Sequence, residues 1–335
     1  MTMKKYVAYG IGAALVDTEI KVQDEELAQM RVEKGLMTLV DQARQGELLS
    51  HLEGHLVKAS HASGGSAGNS MIATAQFGGP TFMSCKVAND PDGDIYLADL
   101  EAAGVDHCLK HDRAEGTTGK CLVMITPDAE RSMNTFLGIS ETLSTEQLDA
   151  EAIAASEYVY VEGYLVTSPT GRAAAVRARQ LAEAAGVKTA VSFSDPGMVE
   201  FFREGMEEIV GDGVDLVFCN EAEALGWAGT NSLEVAVEQL KQVARRFAIT
   251  RGAEGALTFD GENLAEIPPH RVQAVDTNGA GDMFAGAFLY AMTRGEDFPT
   301  AGRFASLAAG RIVANYGPRL PAADYPALRA EFFGD

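Results

Sequence analysis

The chain alternates short runs of apolar and β-branched residues with longer stretches of helical periodicity. The apolar runs lie at Tyr6–Ile11, Tyr158–Val161, Thr189–Phe193, Leu216–Cys219 and Phe247–Thr250. Helical stretches at Gly171–Ala185 and Ser232–Arg246 separate the later runs, which recur at intervals of roughly 30 residues, the length of a βαβ unit. Near-continuous apolar strands are typical of a parallel sheet covered on both faces. The pattern therefore predicts a doubly wound, mainly parallel α/β sheet flanked by helices.

Two regions depart from this pattern. Residues 17–58 are acidic and alternate poorly, whereas residues 116–137 indicate two strands around a turn at Pro127–Glu130. We expect these regions to form a small β-sheet beside the main sheet, which we place in the first strand and from Ala62 onward. The sequence has no repeat, low-complexity tract or Gly/Ser linker, so residues 1–335 are predicted to form one continuous domain.

Composition and charge narrow the functional classes. The 335 residues are 46% hydrophobic and 22% charged, and no stretch has 18 uninterrupted apolar residues. The formal net charge of −21 argues against binding to nucleic acid or anionic membranes, because both depend on basic patches. The N-terminal segment lacks a long apolar core, and the four cysteines lack CxxC spacing. We therefore expect no membrane span and a cytoplasmic protein with reduced thiols.

Two candidate nucleotide-binding motifs each lack a feature that the motif requires. The segment Tyr9–Leu15 contains Gly-x-Gly after a strand, but Leu15 stands where a dinucleotide fingerprint needs a small residue. The segment Gly116–Cys121 contains Gly-Lys, but its spacing is too short for a P-loop and Cys121 replaces Ser or Thr. We therefore expect neither an NAD-binding fingerprint nor a Walker-type site.

A third candidate is the polar segment Asp276–Asp282, which precedes the apolar helical run Met283–Met292. Gly and Ala leave the backbone accessible, and the first N–H groups of a helix lack intrahelical partners, so such a segment can bind phosphate. A carboxylate beside phosphate is electrostatically costly, which suggests that Asp282 accepts the proton of an attacking hydroxyl. The alternative is that Asp282 only offsets the helix dipole. Spacing alone leaves both interpretations open.

The string DTNGAGDMFAGAFL, from Asp276 to Leu289, closely resembles the C-terminal signature of the PfkB carbohydrate kinases, also called the ribokinase family. The resemblance implies a ribokinase-like fold and an ATP-dependent kinase in which Asp282 is the catalytic base. It also implies that the anion hole for the transferred phosphoryl group consists of Asn278, Gly279, Ala280 and Gly281.

The first third of the chain carries a second match. The string GGSAGNS resembles the family's diglycine motif, and implies substrate contacts from Gly64, Gly65, Ser66 and Asn69. Met71 and Ala88 depart from the family pattern, which has a small residue and a glycine there, and members that act on nucleosides also relax this motif. Asp17 follows the first strand, where the family has an aspartate that accepts hydrogen bonds from two neighbouring sugar hydroxyls.

Further segments correspond to the nucleotide side and the lid of the family fold. The string NEAE matches the Asn-x-x-Glu motif, which implies that Asn220 contributes to ATP binding and Glu223 holds Mg²⁺ through water. In isolation NEAE also fits the start of a polar helix face. The string TRGAEG resembles the segment beside ATP and implies contacts from Thr250, Gly252 and Gly255. Residues 17–58 and 116–137 correspond to the lid that closes over the sugar.

Weaker similarities indicate the substrate. The string DAERSMNTFLG resembles the lid segment of bacterial adenosine-kinase-like members. Ser66, Ser194–Pro196 and Asn315–Arg319 also resemble the sequences of that subgroup. We therefore expect a kinase for the 5′-hydroxyl of a ribose-containing substrate, adenosine or a related nucleoside. Arg131 either binds substrate by supplying positive charge near phosphate or is an exposed strand residue.

Alternatives remain open. Within the family, the alternative is a sugar kinase for ribose, fructose or a sugar acid; outside it, a non-catalytic sensor of a nucleoside or nucleotide. The family often uses a monovalent cation, so K⁺ is a candidate beside ATP and Mg²⁺, and a monomer and a homodimer both fit. The motif His107-Cys108-x-x-His111 and the pair His51 and His55 lack further ligands, so we expect no metal there.

Overall fold

The computed structural model describes residues 4–52, 62–109, 113–128 and 130–334. The strands are β1 (Tyr6–Ile11), β2 (Leu15–Lys21), β3 (Met37–Leu39), β4 (Ala62–Gly64), β5 (Thr81–Ser84), β6 (Val105–His107), β7 (Gly119–Ile125), β8 (Arg131–Phe136), β9 (Ser156–Glu162), β10 (Lys188–Ser192), β11 (Leu216–Asn220), β12 (Phe247–Thr250), β13 (Ala256–Phe259) and β14 (Leu264–Ile267).

The helices are α1 (Asp24–Gln29), α2 (Gln42–His51), α3 (Ser66–Gln76), α4 (Pro91–Ala102), α5 (Ala150–Ala154), α6 (Pro169–Ala184), α7 (Pro196–Phe201), α8 (Arg203–Val210), α9 (Glu221–Ala228), α10 (Leu233–Val243), α11 (Ala280–Thr293), α12 (Phe298–Val313) and α13 (Asp324–Phe333). Short 3₁₀ segments lie at Gly138–Thr142, Thr145–Gln147, Gly163–Thr167 and Gly252–Glu254.

Among the described residues, nine strands form the larger sheet in the order β14-β13-β12-β11-β10-β9-β1-β5-β6. Neighbouring strands from β6 to β12 are parallel, whereas β13 pairs in antiparallel fashion with β12 and β14. The register aligns Ile11 with Ser84 and Val161, so the carboxyl ends of β1, β5 and β9 lie at one edge. The prediction of a mainly parallel α/β sheet is confirmed; the antiparallel β13–β14 hairpin was not part of it.

The predicted apolar runs coincide with central strands of this sheet. β1 and β12 have the predicted bounds, and the other runs fall within two residues of β9, β10 and β11. The predicted helical stretches overlap α6 and α10, which begin after side-chain caps. Ser168 accepts a hydrogen bond from the backbone N–H of Gly171, and Ser232 accepts one from that of Val235. These caps explain where the helices begin.

A second, smaller sheet has the order β3-β8-β7-β2-β4 within the described residues. β7 and β8 form the expected antiparallel pair, and β2 pairs in parallel with β7. β4 also belongs to this sheet, because it pairs with β2. The expectation that the main sheet resumes at Ala62 is therefore wrong. β4 has only three residues and ends at Gly64, so no apolar run marks it.

Helices cover both faces of the larger sheet. One face packs against α3, α11 and α12 through residues such as Met71, Phe288 and Phe304. The other face packs against helices that include α6, α9 and α10, with Phe193 and Trp227 in contact there. α11 is buried from Met283 to Ala291, because its residues there are apolar or small. This packing fixes the N-terminus of α11 at the carboxyl edge of the sheet.

The second sheet has one covered face and one face directed at the larger sheet. Ile20, Leu122 and Met124 pack against α1 and α2, where Met30 and Leu48 lie. The alternate residues of the same strands face the other way, as the two-residue period of a strand requires. The face that remains can therefore form the wall of a cavity.

The two rejected nucleotide motifs have other structures. The chain after Gly12 continues into β2 at Leu15, and Lys120 lies inside β7. A dinucleotide fingerprint would need a helix at the first position and a P-loop would need one at the second. In the part of the chain that the structure describes, no helix is both long and apolar enough to span a bilayer.

Candidate active site

A cavity of about 580 Å³ lies between the carboxyl edge of the larger sheet and the inner face of the second sheet. Crevices at this edge of a parallel sheet are where α/β proteins bind ligands. Most of the site residues predicted from sequence line it: Asp17, Gly65, Ser66, Asn69, Arg131, Asn220, Glu223, Thr250, Gly252, Gly255, Asn278, Gly279, Ala280, Gly281 and Asp282.

The polar segment before α11 forms a tight loop in the cavity wall. Gly279 has a φ of 72°, and a Cβ there would overlap the backbone of Pro318. Glycine is therefore required at this position. Apart from its chain neighbours and the backbone of α11 itself, no atom of the described residues lies within 4 Å of the point where a Cβ of Gly281 would be, so the loop is open to the cavity there. The N-terminus of α11 adds the positive end of its dipole.

Asp276 is buried and maintains the shape of this loop. Its Oδ1 accepts a hydrogen bond from the backbone N–H of Asn278 at 2.8 Å, and its Oδ2 accepts one from Gly317 at 2.9 Å. The N–H of Ala280 donates to the carbonyl oxygen of Thr277 at 3.3 Å. The N–H groups of Asn278 and Ala280 are thus used within the loop, and its open side lies at Gly281.

Asp282 lies in the first turn of α11 and is held by α3. Ser66 Oγ donates to its Oδ1 at 2.7 Å, and Asn69 Nδ2 donates to its Oδ2 at 3.0 Å. Burial raises the pKa of Asp282, and these hydrogen bonds oppose the rise. Asn69 Oδ1 is buried without a partner among the described residues, so it can accept a hydrogen bond from a ligand. The Ser66 hydroxyl, which is predicted to contact substrate, lines the cavity and donates its hydrogen to Asp282.

Asp17 is buried on the inner face of β2, against the diglycine. A Cβ on Gly64 would overlap the Asp17 carboxyl group, and a Cβ on Gly65 would overlap the carbonyl oxygen of Ala13. Burial and the neighbouring Glu19 raise the pKa of Asp17 to about 7. The two glycines thus allow the backbone to pass directly beside this carboxyl group.

Beyond Asp17, the inner face of the second sheet is mainly apolar. The side chains that line the cavity there belong to different strands of the sheet and to the residue that follows β8: Leu15, Met37, Leu39, Cys121, Met133 and Leu137. Tyr164 also lines the cavity, from the 3₁₀ segment after β9. One end of the cavity therefore offers a broad apolar wall next to a buried carboxyl group.

Arg131 joins the second sheet to the loop before α11. Its Nη1 donates to the carbonyl oxygen of Thr277 at 2.8 Å. Burial raises the pKa values of Asp17, Glu223 and Asp282, and the positive charge of Arg131 lowers all three. The side chain thus lies in the cavity wall rather than at an exposed position of the strand.

Asn220 and Glu223 form a reciprocal cap at the start of α9. Asn220 Oδ1 accepts the N–H of Glu223 at 2.8 Å, and the Glu223 carboxylate accepts both Asn220 N at 3.0 Å and Asn220 Nδ2 at 2.7 Å. Burial raises the pKa of Glu223 to about 7. Among the described residues, no group of three His, Cys, Asp or Glu could hold a metal ion. A Mg²⁺ contact of Glu223 through water fits this arrangement.

The segment after β12 completes this end of the cavity. Gly252 and Gly255 have φ values of 54° and 91°, which favour glycine. Arg251 Nε donates to Glu221 at 2.8 Å and its Nη2 donates to Glu254 at 2.8 Å. Arg251 is therefore paired with two carboxylates.

The histidine motifs have other surroundings. His107 Nε2 lies 3.6 Å from a carboxylate oxygen of Glu101, and His51 Nδ1 lies 2.9 Å from the carbonyl oxygen of Glu47. His55 and His111 lie outside the described residues.

Several cavity residues were missed by the sequence analysis. Glu162 ends β9 and is 1% exposed, and its position directly after an apolar run was a usable signal. His270 and Arg271 also line the cavity, as do Ala309 and Gly310 of α12, and His270 packs against Gly310. Small residues on a helix carry no recognisable signal of this kind.

An open loop at a helix N-terminus with a carboxylate held beside it is suited to phosphoryl transfer to a hydroxyl group. The fold and the site thus define a ribokinase-like phosphotransferase that acts on a hydroxyl group. The sequence pattern described as pfkB family carbohydrate kinase matches residues 40–324. The chain belongs to this family.

Named relatives include both sugar and nucleoside kinases. A probable sugar kinase from Rhizobium etli has a TM-score of 0.93 and 32% identity, over 99% of this chain and 99% of that chain. The adenosine kinase of Sinorhizobium meliloti has a TM-score of 0.92 and 33% identity, over 98% and 99% of the two chains. Adenosine kinase of Saccharomyces cerevisiae is 27% identical over 335 residues, which cover 93% of this chain and 96% of the relative.

Proposed function

We propose that this protein is an ATP-dependent kinase that phosphorylates the 5′-hydroxyl of adenosine. The observation that favours a nucleoside over a free sugar is the apolar inner face of the second sheet. This wall extends past Asp17 from Leu15 to Met133, and a ribose bound at Asp17 would leave it uncovered. A planar base attached to the ribose would cover it. The choice of adenine among bases is supported by the relatives named as adenosine kinases.

In this proposal the ribose lies between the diglycine and the second sheet. The Asp17 carboxylate accepts hydrogen bonds from two neighbouring hydroxyls, and the absence of side chains at Gly64 and Gly65 lets the sugar approach. The unpartnered Oδ1 of Asn69 offers a further acceptor. This orientation directs the 5′-hydroxyl to Asp282.

Asp282 then accepts the proton of that hydroxyl. The hydroxyl oxygen forms a bond to the γ-phosphorus of ATP, the bond from that phosphorus to the bridging oxygen breaks, and ADP leaves. Burial raises the pKa of Asp282, which makes it a stronger base than an exposed aspartate. The open side of the 278–281 loop at Gly281 and the α11 dipole stabilise negative charge on the phosphoryl oxygens, and Arg131 adds a positive charge.

The other end of the cavity takes ATP. Asn220, Thr250, Gly252 and Gly255 line the cavity and would face the phosphates, and Glu223 would hold Mg²⁺ through water. Bound Mg²⁺ neutralises charge on the transferred and neighbouring phosphates. The cavity continues to the small residues of α12, where the nucleotide base finds room.

The second sheet acts as a lid in this proposal. The predicted lid regions, residues 17–58 and 116–137, contain most of its strands, and residues 53–58 and 129 of these regions lie outside the described residues. Contacts of Arg131 with Thr277 and of Glu19 with Asn278 support this role, because both join the sheet to the loop before α11. Four free thiols support the cytoplasm as the compartment. A role for K⁺ is supported by the family resemblance and is tested by comparing KCl with NaCl in the assay below.

The test is a phosphorylation assay with ATP and Mg²⁺ across adenosine, other nucleosides, ribose, fructose and a sugar acid. We expect turnover with adenosine, and a loss of about 10²–10⁴-fold in kcat for Asp282→Asn, with adenosine binding retained in calorimetry. Turnover with free sugars but not with nucleosides would show that the substrate is a sugar rather than a nucleoside. Binding without turnover in the wild-type protein would indicate a sensor, and equal activity of both proteins would reject Asp282 as the base.

A further inference from the structure

Glu162 is a buried carboxyl group to which the proposed reaction assigns no role. It is the last residue of β9, which lies between β1 and β10 in the larger sheet. Its side chain is 1% exposed and lies in the cavity wall. Burial raises its pKa to about 7, and nearby Asp282 contributes to the rise. A carboxyl group in so unfavourable a place calls for an explanation.

Both oxygens of Glu162 accept backbone hydrogen bonds from separate parts of the chain. Oε1 accepts the N–H of Ala13 at 3.1 Å, and Oε2 accepts the N–H of Ala67 at 2.7 Å. A Cβ on Gly12 would overlap the Glu162 carboxyl group, so Gly12 makes room for it. Ala13 lies where the chain passes from β1 to the second sheet, and Ala67 lies just after the chain returns from β4.

The bond to Ala67 replaces a missing helix cap. α3 has Gly65 at its N-cap position, and no side chain of its own segment caps its first N–H groups. A carboxylate at this end also interacts favourably with the helix dipole. The same turn of α3 carries Ser66 and Asn69, which hold the two oxygens of Asp282.

We propose that Glu162 is a positioning residue that anchors the N-terminus of α3 and, through Ser66 and Asn69, orients the carboxylate of Asp282. This inference rests on the proposed function, in which Asp282 is the base. Glu162 thereby also links two segments in which the chain passes between the sheets, at Ala13 and at Ala67. In this role it accepts hydrogen bonds from backbone N–H groups and acts through α3 rather than on the substrate.

The first test is Glu162→Gln, which keeps the size of the side chain but turns an NH₂ group towards one of the two N–H donors. We expect kcat to fall by about 10–100-fold, because a displacement on the order of 1 Å at the base has this effect. KM for the nucleoside should stay within about twofold. A large rise in KM with kcat retained would show that Glu162 contacts substrate, and would overturn the inference.

Gly12→Ala provides a second route, because its Cβ displaces the Glu162 carboxylate without removing it. The same fall in kcat is expected. Asp149→Asn is the matched control, because Asp149 accepts two backbone N–H groups at the start of α5, outside the cavity. It should lower Tm while leaving kcat unchanged. A fall in kcat of Asp149→Asn equal to that of Glu162→Gln would count against a specific role.

A double-mutant cycle with Ser66→Ala separates positioning from general destabilisation. If Glu162 acts through α3, the double variant should lose less activity than the product of the two single losses. Losses that multiply would overturn the inference. A wild-type protein without kinase activity would instead reject the proposed function, so the two failures are distinguishable.

Discussion

Asp17 shows how the cavity changes a single carboxyl group. Burial and the charge of Glu19 raise its pKa from 3.8 to about 7, while Arg319 and Arg131 oppose the rise and Asp282 adds to it. Because the folded pKa is the higher one, the ionised form is disfavoured in the folded protein. The contribution of Asp17 to folding stability is therefore complete below about pH 4 and is lost as the pH rises to about 7.

Substrate binding should depend on pH in the opposite sense. A carboxylate can accept two hydroxyl hydrogens, whereas the protonated acid is a poorer acceptor, so protonation of Asp17 competes with the ribose. We expect KM for adenosine to rise about tenfold between pH 8 and pH 6, measured by initial rates at saturating ATP. Asp17→Asn should bind more weakly throughout and lose this dependence. A flat KM in the wild-type protein would contradict the assignment.

At the scale of one element, the start of α11 requires glycine, and a second glycine just beyond the same helix provides a control for that requirement. Ala at residue 279 would be strained at a φ of 72° and would overlap Pro318, whereas Gly295, just beyond the same helix, has a φ of 91° and open space. Gly279→Ala and Gly295→Ala should each lose stability, by about 1–2 kcal/mol from strain alone. Only Gly279→Ala should lose kcat, on the order of 10²-fold. Equal kcat values would separate the loop from catalysis.

The second sheet offers a matched pair of methionines on its two sides. Met133 lines the cavity, whereas Met30 of the segment after α1 packs on the covered face. Met133→Ala should raise KM for adenosine about tenfold, because apolar contact with the base is lost. Met30→Ala should lower the free energy of unfolding by about 2–5 kcal/mol without changing KM. The proposed base pocket would be wrong if the two variants had the same KM.

Local pattern predicts those elements whose environment is uniform along the sequence. β1 and β12 are buried on both faces, so an unbroken apolar run marks their bounds. β3 and β4 have three residues each and are specified by pairing with β8 and β2, which no local window contains. Their existence could not be predicted for that reason.

The same distinction applies to the site. The loop before α11 is contiguous in sequence, so its accessible backbone can be recognised from the small residues Gly279, Ala280 and Gly281. The apolar wall is assembled from alternate residues of separate strands, so Leu15 and Met133 become neighbours of one ligand only through the sheet. Ser66 shows a further limit, because only the fold reveals that its hydroxyl lies on Asp282.

At the scale of the whole molecule, Arg131 links the second sheet to the larger sheet through a hydrogen bond. It begins a strand of the second sheet and donates to Thr277 in the loop that belongs to the larger sheet's helix. Arg131→Ala should lower kcat on the order of 10²-fold, because a positive group near the transferred phosphate is lost. The control is Lys34→Ala, which removes a surface cation of the segment between α1 and β3 that is paired with Asp24 and Asp128. Full activity of Arg131→Ala would show that this contact is dispensable.

The parallel pairing of β2 with β7 has a consequence for how the protein is made. β2 ends at Lys21, but its partner begins at Gly119, so on the ribosome the first strand is complete long before the second exists. At about 5–20 residues per second, synthesis of the intervening ~100 residues takes on the order of 5–20 s. During that time only the three-residue strand β4 can pair with β2, at residues 15–17, so the edge that later pairs with β7 stays open. An unpaired strand edge readily associates with other chains. The yield of active protein should therefore depend on chaperones that bind the nascent N-terminal segment.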